Sequence, residues 1–223
     1  MKFQKTLTNY LILINGVIFV LMFLFGGFNA FNNARILVSF GAQWGPLINN
    51  GQWFRLITSM FVHGGIMHIF FNMYVLYIFG NLVERVYGPY KFFSIYIITG
   101  FVASLATYVF SPMSISVGAS GAIFGMVGLL FGAGFREDTP NMLRSMTGKA
   151  LLPMILINVF LGFTVPQINN IAHIGGLAAG FTFGWLTPVI MTKKAWDIWK
   201  VIYYVCLAVS AISFVLLLIF FFL

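Results

Sequence analysis

The feature that most constrains this chain is a succession of apolar runs close to the length an α-helix needs to cross a bilayer, about 20 residues. Seven spans are expected, at about 10–28, 67–84, 92–110, 115–135, 150–165, 171–190 and 200–222, the fifth being short. Of the 223 residues, 61% are hydrophobic and only 7% are charged, whereas a soluble domain carries about 25% charged residues. No water-facing surface can be built from this composition. In lipid, every backbone N–H and C=O must find its partner inside the protein. The expected fold class is therefore all-α, a polytopic membrane helix bundle forming one membrane domain. Residues 29–66 are too many for a tight turn and hold Asn, Gly, Gln, Trp and Pro. They are expected to lie partly in the outer interface. The basic start Met1-Lys2-Phe3-Gln4-Lys5 before the run Tyr10 to Phe25 has the form of a signal peptide. Because the rest of the chain is itself a membrane domain, an uncleaved first helix is expected.

The formal net charge of +8 would suggest nucleic acid in a soluble protein. Here the basic residues sort by side instead. With the N-terminus in the cytoplasm, the inner segments hold Lys2, Lys5, Arg85, Lys91, Arg136, Arg144, Lys149, Lys193, Lys194 and Lys200. The outer ones hold only Arg35 and Arg55, which completes the twelve. This is the positive-inside pattern, and it sets the N-terminus inside and the C-terminus outside. The expected surroundings are a lipid bilayer, with no nucleic-acid partner. The single cysteine, Cys206, can form no internal disulfide and supplies no metal site. All four acids, Glu84, Glu137, Asp138 and Asp197, fall in or beside inner segments. The outer half of the protein is left without a carboxylate side chain.

Polar groups inside a membrane are costly, so each needs a reason. His63, His68 and His173 fall near the outer ends of helices, and Ser120 lies near the outer start of the fourth span, after Ser114, Ser116 and Gly118. Asn72 lies one turn below His68 on the same face, since residues four apart are helix neighbours. Taken singly, a membrane serine bonds to its own backbone and a histidine bridges helices. A serine, two histidines and an asparagine at one depth form a constellation that water could reach from outside. The glycines have a pattern as well. Gly118, Gly121 and Gly125 surround the serine, and Gly176, Gly180 and Gly184 follow His173 at four-residue intervals. Small residues at that spacing let helix backbones approach closely. Close packing of the fourth and sixth spans would bring Ser120 and His173 within the reach that base activation of a serine requires.

These residues resemble the rhomboid family. Gly118-Ala119-Ser120-Gly121 is similar to its GxSG nucleophile motif, and His68-Ile69-Phe70-Phe71-Asn72 to its HxxxN motif, with His63 upstream. Ala172-His173-Ile174-Gly175-Gly176 is similar to the base motif, and Arg55 after Trp53-Phe54 to the aromatic-arginine signature of the first loop. The sequence departs from the family at Phe54, where a tryptophan is common, and at Phe124, where a tyrosine is frequent. Phe124 keeps a ring to pack on the base and lacks only a hydroxyl. The resemblance implies a six-helix catalytic core over residues 1–190, with 29–66 as its outer loop, and a seventh transmembrane helix within 191–223. It implies an intramembrane serine protease that cleaves single-span membrane proteins near the outer face, and a bacterial cell membrane is the expected location. The turn Thr164-Val165-Pro166-Gln167 and the fifth span would gate entry.

On that reading Ser120 is the nucleophile, His173 the general base, and His68 and Asn72 stabilise the oxyanion with the Ser120 amide. Two alternatives stay open: His68 as a second base, and Asn72 as a plain interhelical bond. A Ser-His-Asp triad needs an acid behind the histidine, and none is expected at that depth, so the serine enzyme would be a dyad. An aspartyl protease would need two acids there, and a zinc protease would need HExxH, which is absent. No metal or cofactor is expected. A transporter usually carries an intramembrane acid, and a non-catalytic client-binding relative would not need both Ser120 and His173.

Overall fold

The computed structural model describes residues 6–165 and 168–222, among which the only β pairing is an isolated antiparallel bridge between Gln43 and Ser116. The first helix, α1 (Leu7–Gly26), has two caps. The Thr6 side chain accepts from Asn9 N. The Glu84 carboxylate, far along the chain, accepts from Leu7 N at 2.8 Å, Thr8 N at 2.9 Å and Thr8 Oγ1 at 2.7 Å. A negative group there satisfies orphan amides and meets the positive end of the helix dipole. Glu84 is thus committed to holding α1 against the rest of the bundle.

The segment after α1 contains three short helices, α2 (Ala34–Ser39), α3 (Gly45–Asn49) and α4 (Arg55–Thr58). Arg55 fixes its shape from within. It is only 4% exposed, and its Nη1 donates to the carbonyls of Val38 (2.6 Å) and Ala42 (2.9 Å) while Nε donates to Gln52 Oε1 (2.7 Å). Thr58 Oγ1 adds a bond to Gly41 O. A fork of rigid donors suits carbonyls that lack a helical partner. Burial lowers the Arg55 pKa to about 10, which still leaves it charged at neutral pH.

Helix α5 (Ile66–Val75) runs through one π turn, Leu76–Gly80, into α6 (Asn81–Phe110). A positive φ of 77° at Gly88, followed by Pro89, breaks α6 into two arms. The expected spans 67–84 and 92–110 are therefore two arms of one stretch, Ile66–Phe110, joined at a single glycine. The Trp196 ring fills the space a Cβ on Gly88 would take. Next come α7 (Ser120–Ala133), α8 (Leu152–Thr164), α9 (Asn170–Leu186) and α10 (Lys193–Phe222). Pro166 and Gln167 of the expected gating turn lie outside the described residues. Among the described residues, four stretches are long and apolar enough to cross a membrane: Leu7–Phe31, Ile66–Phe110, Asn141–Thr164 and Lys193–Phe221.

Helix α7 starts at Ser120 rather than near 115, because Ser116 pairs with Gln43 and Gly118 turns the chain with φ 116°. At 1.5 Å per residue its 14 residues reach about 21 Å, short of a hydrocarbon core of about 30 Å. Nearly all of it is buried, between the second arm of α6 and α9. The α7–α9 contact is made by backbone. A Cβ on Gly176, Gly180 or Gly184 of α9 would strike the carbonyl oxygens of Gly121, Gly125 and Leu129 of α7. In return, a Cβ on Gly128 or Gly132 of α7 would strike those of Leu177 and Phe181 of α9. Gly121 and Gly125 thus play a different part from the one expected. Their carbonyls face α9, while their bare Cα positions face Ala103 and Thr99 of α6. Helix α7 has two close neighbours, and its glycines divide between them.

Beyond α9, Lys91 Nζ donates to Thr187 Oγ1 at 2.7 Å and Pro188 O at 3.2 Å, and sits 4.2 Å from the Tyr87 ring centroid and 5.4 Å from that of Trp199. It caps the end of α9 and ties α10 to the bundle.

Gly180→Leu should lower stability by about 3 kcal/mol, the upper end for overpacking, because a backbone carbonyl cannot rotate out of the way. Gly16→Leu on α1, where nothing lies within 4 Å, should leave the melting temperature in detergent unchanged or raise it. Thermal unfolding of the two variants beside the wild type checks this.

Candidate active site

Ser120 is the first residue of α7, after Ala119 as N-cap. The first amides of a helix have no intrahelical partner, and the dipole makes that end positive. The serine hydroxyl therefore stands beside amide donors that any negative oxygen could use. The turn into α7 requires glycine at 118 for two reasons. Its φ of 116° is one that L side chains rarely adopt, and a Cβ would lie 2.6 Å from His68 Nε2. Gly118 N also donates to Ser59 O at 2.9 Å, which pins the approach to the serine.

His173 is in the first turns of α9 and is 8% exposed. Its ring stacks on Phe124 with centroids 4.2 Å apart and planes 13° from parallel. Phe124 lies four residues after Ser120, hence on the same face one turn along. The glycine seating of α9 on α7 fixes this relation, with Gly176 against the carbonyl of Gly121 beside the serine. Among the described residues, Ser120 Oγ and His173 share no hydrogen bond and His173 Nδ1 has no partner. Such bonds are often slack without substrate and tighten in the complex.

His68 Nδ1 accepts from Gly64 N at 3.4 Å, and Nε2 points at Gly118. A neutral imidazole has one donor and one acceptor nitrogen. The Nδ1 acceptor places the proton on Nε2, aimed at the turn that presents Ser120. His63 is fully buried behind it, its ring edge-on to His68 with centroids 5.1 Å apart. Asn72 Nδ2 donates to His68 O at 2.8 Å, a bond within its own helix. One amide hydrogen of Asn72 remains for a ligand.

The acids are all occupied elsewhere or outlying. Glu84 caps α1. Asp138 pairs with Arg136 at 2.8 Å, and the hydrogen bond from Arg136 holds its carboxyl below the ordinary value. Among the described residues no three metal-ligating side chains come together. The arrangement can offer a hydroxyl nucleophile, an imidazole base and several N–H donors, without a carboxylate or a metal cluster.

Two further residues were not foreseen. Asn169 caps α9 and also reaches Thr107 and Ser116, and Gln43 pairs with Ser116 and reaches the carbonyl of Ser104. An Asn directly before a helix was the available signal for the first. A glutamine in a loop gives none.

A family model described as "Rhomboid domain" matches residues 50–190. "Rhomboid protease GluP" of Bacillus subtilis (strain 168) is 40% identical over 178 residues, which cover 80% of this chain and 34% of that protein. "Putative rhomboid protease YdcA" of the same organism is 36% identical over 141 residues, covering 62% and 69%. "RHOMBOID-like protein 6, mitochondrial" of Arabidopsis thaliana is 34% identical over 155 residues, covering 70% and 50%. The chain thus spans a third to a half of the length of the first and third of these relatives.

Gly118→Ala should shift the imidazole resonances of His68 strongly and lower the melting temperature, because the new methyl meets both strain and the ring. The resonances of His173, held on Phe124 by a separate contact, should move little. Imidazole NMR spectra of the variant and the wild type test this.

Proposed function

Since the chain belongs to the rhomboid family, we propose that it is an intramembrane serine endopeptidase with Ser120 as nucleophile and His173 as general base. One observation carries the reading: the His173 ring is stacked on Phe124, one turn from Ser120 on the same helix face. Two of the relatives reported above bear the name rhomboid protease, which supports the activity.

Ser120 Oγ attacks the scissile carbonyl as its proton passes to His173 Nε2. The carbonyl oxygen becomes negative and takes hydrogen bonds from the Ser120 amide, His68 Nε2–H and the remaining Asn72 hydrogen. The C–N bond then breaks and His173 returns the proton to the leaving amine. A water, deprotonated by the same imidazole, hydrolyses the acyl-serine. With no acid behind His173, stacking on Phe124 takes over the orienting part of a triad's carboxylate. The substrates are single-span membrane proteins cut near the outer face. A helical substrate hides its carbonyls in hydrogen bonds and must unwind locally before attack. It enters past α8. The basic residues, ten against two, support a cytoplasmic N-terminus and an outer C-terminus. The Bacillus relatives support a bacterial cell membrane as the location.

A fluorophosphonate probe should label Ser120 alone. His173→Ala should abolish both labelling and proteolysis of a single-span reporter. His68→Ala and Asn72→Ala should label slowly and lose up to about 10²–10³ in turnover, the loss for one oxyanion donor. Glu137→Gln, Asp138→Asn and Asp197→Asn should keep near wild-type turnover. Retained labelling in His173→Ala, or collapse in a folded acid variant, would contradict the dyad.

Orientation has its own check. A reporter active only outside the cytoplasm, fused after Leu223, should be active, and one placed at Lys193-Lys194 silent. The reverse pattern would overturn the topology.

A further inference from the structure

Helix α9 is capped by Asn169, whose Oδ1 accepts from Ala172 N at 3.0 Å and whose backbone carbonyl accepts from His173 N at 3.2 Å. Capping asks only for an acceptor, which Ser, Thr or Asp would supply equally well. What asparagine adds is an amide nitrogen with two hydrogens, and both are used. Asn169 Nδ2 donates to Thr107 Oγ1 at 3.0 Å and to Ser116 Oγ at 3.0 Å. Thr107 is fully buried and spends its own proton on Ala103 O at 3.1 Å, so it can only accept from Asn169. Ser116 lies four residues before Ser120. Its segment is held on the other side by the paired backbone bonds with Gln43, and Gln43 Nε2 donates to Ser104 O at 2.8 Å. Ser104 and Thr107 stand together near the end of α6. One amide thus closes a ring of bonds through the start of α9, the segment leading to Ser120, and α6.

Resting on the protease reading above, we propose that Asn169 is a positioning residue that sets where along α7 the base helix stops. The glycine stripe fixes how closely α7 and α9 approach. Each glycine meets a particular carbonyl of the opposite helix, but these are van der Waals contacts, which hold the axial register against a small slide less firmly than hydrogen bonds do. Asn169 supplies that register, tying the residue four before His173 to the residue four before Ser120. A shift of about 1 Å between reacting groups can cost on the order of 10²-fold in rate.

The test compares purified wild type, Asn169→Ser, Ser116→Ala and a Thr107→Val/Ser116→Ala double variant. The readouts are the maximal rate and half-saturating concentration of fluorophosphonate labelling, kcat and KM on a single-span reporter, and Tm. Asn169→Ser keeps the cap but cannot span to Thr107 and Ser116. Its kcat and maximal labelling rate should fall roughly tenfold to hundredfold, with KM and half-saturation unchanged and Tm within about 4 °C of wild type. The double variant keeps Asn169 as a cap and should show the same loss. Ser116→Ala should fall between, and it decides the matter if the others do not fold. Wild-type rates in any of these folded variants, or a loss confined to KM or Tm, would overturn the role. A wild type that neither labels nor cleaves would instead overturn the protease reading, and this role with it.

Discussion

The structure depends on backbone meeting backbone between α7 and α9. Five glycines, Gly128, Gly132, Gly176, Gly180 and Gly184, each leave room for a carbonyl of the opposite helix. In a bilayer the hydrophobic effect gives helices little reason to associate, because lipid tails are as apolar as leucine. Close van der Waals contact must supply the association, and only a missing side chain permits it here. The consequence reaches the site directly. Gly176 lies against the carbonyl of Gly121, next to Ser120, and three residues before it His173 stacks on Phe124. The same packing that joins α7 to α9 also places His173 beside the start of α7 that carries Ser120.

A second constraint is the treatment of charge. A buried carboxylate behind His173 would need its own hydrogen bonds in a low-dielectric setting. The described structure uses its acids elsewhere, Glu84 as a cap for α1 and Asp138 as a partner for Arg136. Orientation of the imidazole falls to an aromatic face and to the helix that carries it. The short reach of α7 completes the arrangement. At about 21 Å it is shorter than a bilayer's hydrocarbon core of about 30 Å, and its N-terminus brings amides without an intrahelical partner to Ser120.

Much of this was legible in the sequence, for physical reasons. Apolar runs near 20 residues specify helices because lipid allows little else. Glycines spaced by four beside Ser120 and His173 announce a close helix contact. What each glycine touches was not legible. Gly121 and Gly125 turn their bare sides to Ala103 and Thr99 rather than to α9, because the rotation of α7 between two neighbours is set by packing. The start of α7 at Ser120 was missed for a related reason: an apolar run continues through residues that the Gly118 turn and the Gln43–Ser116 bridge remove from the helix. Arg55 was singled out by its neighbours Trp53 and Phe54, yet its partners are carbonyls of Val38 and Ala42, which no side-chain pattern encodes. Long-range ties such as Glu84 to Leu7 and Asn169 to Thr107 depend on the whole bundle being in place.

In the proposed chemistry, peptide hydrolysis passes through an ester on Ser120 formed with the help of His173. The most direct test is an acid quench of the reconstituted protein during turnover of a single-span substrate, followed by peptide mapping by mass spectrometry. The N-terminal substrate fragment should be found attached to the Ser120 peptide in the wild type, with no such adduct in Ser120→Ala or His173→Ala. Cleavage that continues in Ser120→Ala, or an adduct on any other residue, would contradict it.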